Sequence, residues 1–178
     1  MKKNILGYNN FSFLFIFGLL INFSTSANTQ PSWSMGSFVD QWGDRTGERF
    51  IQFNETIDVI ISTTAGPNNH QNVIRDLRFS EQEGLLFYVN FRLESSGLRT
   101  IDVIFNIRLA DGSTIELNGR GQNDRARMAF MYFIPYSDEL RNALLQENIV
   151  IRFETDRVRC QFNFPPRFAE AYHNMRAR

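Results

Sequence analysis

Residues 99–118 read RTIDVIFNIRLADGSTIELN, and their pattern decides the fold class. Ile101, Val103, Phe105, Ile107 and Leu109 recur at every second position, while Thr100, Asp102, Asn106 and Arg108 fill the opposite side. Successive side chains of a strand point to opposite faces, so a period of two marks a strand with one buried face. Ala110-Asp111-Gly112-Ser113 then interrupts the alternation, and Asp-Gly accepts the positive φ of a tight primed turn. Thr114 to Asn118 brings the chain back with Ile115 and Leu117 inward. The segment predicts an antiparallel hairpin.

Working outward, Leu85, Phe87, Val89, Phe91 and Leu93 alternate in the same way, and the intervening 94–98 carries the glycine of a hairpin loop. Further strands are expected at 33–39, 48–53, 56–63 and 73–79. The run ARMAFMYFI at 126–134 is apolar on both faces, as a central strand buried on two sides would be. A last hairpin is expected from 149–154 and 158–164. Ser137 is a good N-cap, with Asp138 and Glu139 at the positive end of the helix dipole and Leu140, Leu144 and Leu145 as the apolar stripe. After Pro165-Pro166, residues 167–176 read as a terminal helix with Phe168, Ala171, Tyr172 and Met175 on one side. The expectation is an all-β chain: an antiparallel β-sandwich of about nine strands with two short helices, one before the last hairpin and one C-terminal.

Residues 1–27 have the order of a secretory signal. Lys2 and Lys3 give the positive start, 11–23 (FSFLFIFGLLINF) the apolar stretch, and Thr25 and Ala27 the small residues that a signal peptidase reads. A membrane span needs roughly 20 apolar residues, more than this stretch supplies. Residue 28 is Asn, not the Cys of a lipoprotein. The reading is a signal peptide at 1–27 and a single domain at 28–178, periplasmic or secreted, with no membrane span after cleavage; the alternative is that 1–27 stays uncleaved as an N-terminal anchor.

Of 19 basic residues two are Lys2 and Lys3, so arginine supplies the other 17, against 19 acidic residues. The exported part lacks the basic surplus of a nucleic-acid binder, and no nucleic acid is expected as partner. The single Cys160 lies in the alternating run Val158-Cys160-Phe162-Phe164, which reads as a buried thiol. His70 and His173 have no partner at metal-ligand spacing. No nucleophile elbow and no phosphate-cradling glycine loop occurs. Glu81 with Glu83, and Asp138 with Glu139, are the carboxylate pairs a hydrolase would need, and they read as solvated charge. Neither enzyme chemistry nor a metal or cofactor is expected.

Two polar stretches hold the candidate binding residues. The first, 40–48 (DQWGDRTGE), packs two glycines, three acids and Trp42 into a loop suited to a ligand or to oxygen ligation of Ca²⁺, without the regular spacing of a calcium loop. As a plain strand connection it would lay Trp42 over an end of the sandwich. The second, 119–127 (GRGQNDRAR), is a basic loop whose guanidinium forks suit a carboxylate or phosphate, or a hairpin connection with scattered surface arginines. The residues carried forward are Trp42, Asp44, Arg120, Arg125 and Arg127. Asn54-Glu55-Thr56 also fits a glycosylation sequon.

Both ends of the chain carry a likeness. Trp33 precedes Val39-Asp40-Gln41-Trp42-Gly43-Asp44-Arg45-Thr46-Gly47-Glu48. Leu140-Arg141-Asn142-Ala143-Leu144-Leu145 leads into Ile149-Val150-Ile151-Arg152-Phe153, and Phe162-Asn163-Phe164 precedes Phe168-Ala169-Glu170-Ala171-Tyr172. In this the chain resembles exported bacterial β-domains related to invasion-associated locus B and to accessory proteins of type VI secretion. The resemblance implies a domain opened by an early Trp and an Asp/Thr turn and closed by a short helix, a strand pair and a Phe-x-x-Ala helix. It assigns no catalytic residues. The functional expectation is a non-enzymatic binding or accessory module for another exported or envelope protein. The alternatives are a small-ligand or carbohydrate binder, or a hydrolase built on dispersed carboxylates.

Overall fold

The computed structural model describes residues 32–39, 45–63, 66–67, 73–90, 100–124, 129–155 and 158–177. The expected signal peptide, the 94–98 loop and His70 lie outside these residues. The hairpin that decides the fold is β8 (Thr100–Arg108) and β9 (Thr114–Asp124), in unbroken antiparallel register from Thr100 opposite Gln122 to Arg108 opposite Thr114. Val103, Phe105 and Ile107 are buried as the alternation requires. Its turn differs from the primed form. The Gly112 amide donates to the Leu109 carbonyl at 3.0 Å and the Leu109 amide to the Ser113 carbonyl at 2.8 Å. Gly112 has φ +87° while Asp111 is not left-handed. This is a three-residue loop with glycine at its left-handed position.

The remaining strands are β1 (Trp33–Val39), β2 (Arg45–Phe53), β3 (Ile57–Asp58), β4 (Ile60–Thr63), β5 (Gly66–Pro67), β6 (Val73–Ser80), β7 (Gly84–Asn90), β10 (Ala129–Pro135), β11 (Val150–Glu154) and β12 (Val158–Asn163). All belong to one antiparallel sheet in the order β1-β2-β6-β7-β10-β9-β8-β11-β12-β4-β5, with β3 paired to β6. Here the layout departs from two separate sheets. Ile57 and Asp58 pair with Ile74 and Val73 of β6, whereas Ile60 and Ile61 pair with Gln161 and Cys160 of β12. A single residue, Val59, separates the two ladders, so one chain segment hands the sheet from β6 to β12. The strands β3/β4-β6-β7-β10-β9-β8-β11-β12 thereby form a hydrogen-bonded ring of eight, the size at which side chains fill the interior. β1 and β2 extend beyond β6 as a hairpin.

The interior is aromatic. Phe87, Phe105, Tyr132 and Phe153 are at most 1% exposed, and the Tyr132 and Phe153 rings lie 4.3 Å apart. Gly119 and Gly121, expected in a loop, are inward positions of β9. A Cβ on Gly119 would stand 2.3 Å from the Phe133 carbonyl oxygen and 2.6 Å from the Phe105 ring, and one on Gly121 3.0 Å from the Tyr132 ring. Glycine here makes room for two rings, and the strand runs straight through what the sequence suggested was a connection.

Helix α1 (Asp138–Leu144) begins as expected, with the Leu140 amide donating to the Ser137 hydroxyl at 3.0 Å, and buries Leu140, Ala143 and Leu144. Helix α2 (Phe168–Arg176) buries Phe168, Tyr172 and Met175. Phe168 sits edge-on to Phe79 at 5.2 Å and to Trp33 at 5.4 Å, so α2 covers one end of the ring beneath the β1–β2 hairpin. Among the described residues no helix is long and apolar enough to cross a membrane.

Candidate functional site

Of the five binding residues expected from sequence, Trp42, Asp44, Arg125 and Arg127 lie outside the described residues. Arg120 is placed, and not in a loop. It is an exposed, outward residue of β9, opposite Asp102 on β8 and Phe133 on β10.

The neighbours of Arg120 make the candidate surface. Across β6, β7, β10 and β9 the register aligns Arg78, Leu86, Phe133 and Arg120 in one row. The adjacent row is Arg75, Tyr88, Met131 and Gln122. All eight point away from the core, because Ile74, Leu77, Phe79, Leu85, Phe87, Tyr132 and Ile134 take the inward positions. Four large side chains (Leu86, Tyr88, Met131 and Phe133) thus form a block on the outside of the ring, each half-buried. The run ARMAFMYFI is apolar on both faces for this reason. One face fills the ring, and the other contributes Met131 and Phe133 to the surface.

A bulge sets the cationic side of the block. Three positions separate Arg75 from Arg78, which in a regular strand would put them on opposite faces. The register shifts between them, Asp76 takes φ +52°, and both arginines emerge outward. Arg78 is held by aromatic faces: its guanidinium carbon is 5.1 Å from the Phe50 ring centroid and 5.7 Å from that of Phe38. Phe50 lies over Gly36, where a Cβ would come within 2.2 Å of the ring. Such a stack is worth about 0.5–2 kcal/mol and fixes the head group in place. Arg78 Nε–H is buried and donates to no acceptor among the described residues. Nor do Arg75 and Arg120 form an ion pair with a described residue.

No family model, no curated protein and no solved structure matches this chain.

The other sequence candidates have local partners. Glu81 accepts from the Tyr172 hydroxyl and lies 3.8 Å from Arg176 Nε. Burial, followed by the hydrogen bond to Glu81, raises the Tyr172 pKa above its ordinary value. Asp138 pairs with Arg141 at 2.9 Å in the first turn of α1. His173 sits in the last turn of α2 against the Tyr172 ring. A cleft of about 320 Å³ beside α2 is lined by Glu48, Arg49, Glu81, Gln82 and Arg176 among others. Its polar groups are engaged with one another, Gln82 donating to Glu48 and Arg49 to the Met175 carbonyl at 3.1 Å. Among the described residues no three His, Cys, Asp or Glu side chains converge as metal ligands. Of the residues on this surface the sequence reading singles out Arg120, as a loop residue, and does not single out Leu86, Tyr88, Met131 or Phe133. Their signal, apolar residues at the outward positions of two strands that already had apolar inward positions, was on the page as 85–89 and 126–134.

Proposed function

We propose that this chain is an exported, non-enzymatic module that binds another protein of the cell envelope, using the outer face of β6, β7, β10 and β9. The observation that carries the reading is the outward block of Leu86, Tyr88, Met131 and Phe133. Contiguous apolar side chains on the outside of a sheet are costly to leave in water, and on a folded domain they commonly mark a contact surface. The ring behind them is packed with its own aromatic side chains, which makes it a rigid support for a flat surface. The signal-like residues 1–27 and the resemblance to periplasmic accessory domains support placement outside the cytoplasm.

Two measurements test this. N-terminal sequencing of the protein from its native cells should begin at Asn28, and recovery of the intact chain from cytosol would refute export. A photo-crosslinking residue at position 133 should give a discrete adduct in those cells, while the same residue at position 116, outward on the same strand pair but outside the block, should not. Equal labelling from both positions would refute the assigned face.

A further inference from the structure

The block is bordered by cations on both sides. Arg78 and Arg120 stand at the two ends of one row, Arg75 at one end of the other, and no carboxylate occupies any of the eight positions. Asp76 in the bulge and Asp102 beyond Arg120 lie at its margins. Strands are about 4.8 Å apart, so the two arginines of the first row originate roughly 14 Å from each other with two large apolar side chains between them.

We infer that the face takes an acidic polypeptide segment of an exported partner, with large apolar side chains set over Leu86, Tyr88, Met131 and Phe133 and carboxylates reaching Arg78, Arg120 and Arg75. This rests on the binding role proposed above and adds the chemistry of the partner. Guanidinium forks match carboxylates in shape and charge. Arg78 is already oriented by Phe38 and Phe50, so a carboxylate that reaches the terminal N–H groups of its guanidinium pairs with it at little ordering cost. A second copy of this chain fits poorly. A two-fold contact would lay one arginine border on the other, and like charges in a contact are strongly disfavoured. A lipid surface fits poorly too, because the four apolar side chains lie within a sheet face and are already half-buried, which leaves little apolar surface to insert into hydrocarbon.

The test uses the exported chain and short synthetic peptides carrying two large apolar residues at alternate positions flanked by Asp, with counterparts bearing Lys in place of each Asp. Fluorescence anisotropy should show the Asp peptide binding at least about tenfold more tightly than the Lys peptide, as expected for charge-assisted pairs. The double variant R78Q/R120Q should lose about tenfold for the Asp peptide while staying folded, with an unchanged circular dichroism spectrum and a melting point lowered only by the loss of the Arg78 stack. Phe133→Thr should abolish binding of both peptides. If both peptides bind alike and R78Q/R120Q changes nothing, while Phe133→Thr still abolishes binding, the acidic partner is refuted and the binding face stands. If Phe133→Thr leaves the binding of both peptides unchanged, the face itself is refuted. Co-sedimentation with vesicles containing phosphatidylglycerol, or a dimer in sedimentation equilibrium that Phe133→Thr dissolves, would likewise overturn the acidic segment as occupant.

Discussion

The indole Nε1 of Trp33 donates to the carbonyl oxygen of Pro166 at 2.9 Å, joining the first described strand to the turn that starts α2. The ring also packs on Phe53 at 5.2 Å, Phe164 at 5.9 Å and Phe168 at 5.4 Å. One side chain therefore fastens both ends of the described chain over one end of the ring. Trp33→Ala should lower stability by about 3 kcal/mol in urea unfolding, chiefly through packing lost against Phe53, Phe164 and Phe168. Trp33→Phe, which keeps most of the packing, should cost about 1 kcal/mol. Equal losses would mean the hydrogen bond dominates.

Gly119 gives a sharper test of the packing. Its missing Cβ would fall on a backbone oxygen and on the fully buried Phe105 ring, neither of which can move aside cheaply. Gly119→Ala should destabilise by about 1–3 kcal/mol although it adds only one methyl group. At Gly112, which faces open space at positive φ, an Ala should cost less, and its cost should arise from the backbone alone. Denaturation midpoints of the two variants decide it.

Cys160 is fully buried, and desolvation pushes its thiol from the ordinary 9.0 up to about 12. Burial raises the Tyr132 hydroxyl in the same direction. In the unfolded chain both groups lose their protons at ordinary values, while the folded chain retains them. Stability is thus unaffected below pH 9 and falls as pH rises from about 9 toward 12. Urea midpoints across that range should decline, and Cys160→Ala should flatten part of the slope. Thiol reagents should react only after unfolding.

Phe133 and Phe105 sit on opposite sides of the same sheet, and their replacement should separate stability from binding. Phe105→Ala should cost about 3–5 kcal/mol. Phe133→Thr, at a half-exposed position, should cost about 1 kcal/mol or less and leave the circular dichroism spectrum unchanged. A large loss at Phe133 would make it a core residue and weaken the assigned face.

Much of the ring was legible from alternation alone, because a period of two reports which side is buried. The strands of the last hairpin, the β8–β9 pair and the capped start of α1 at Ser137 match the expected elements closely. What the pattern could not convey is partner exchange. Nothing in residues 57–63 announces that Val59 separates pairing with β6 from pairing with β12, since both ladders ask for the same alternation. The course of β9 was hidden for a different reason. Gly119 and Gly121 are turn residues by habit, and only the Phe105 and Tyr132 rings, brought there by tertiary packing, explain them as strand residues. Arg75 and Arg78, three positions apart, would fall on opposite faces of a regular strand, and only the bulge between them turns both outward. Ile104, 48% exposed on β8, breaks the expected polar face at a single position, away from the block.

Backbone amide chemical shifts, followed while the Asp-flanked peptide is added to residues 28–178, test the central claim most directly. The account predicts shifts concentrated at Arg75, Arg78, Leu86, Tyr88, Met131, Phe133 and Arg120, fading in Phe133→Thr. Shifts centred instead on Ile60 and Ile104, or on the cleft beside Glu81 and Arg176, would contradict it.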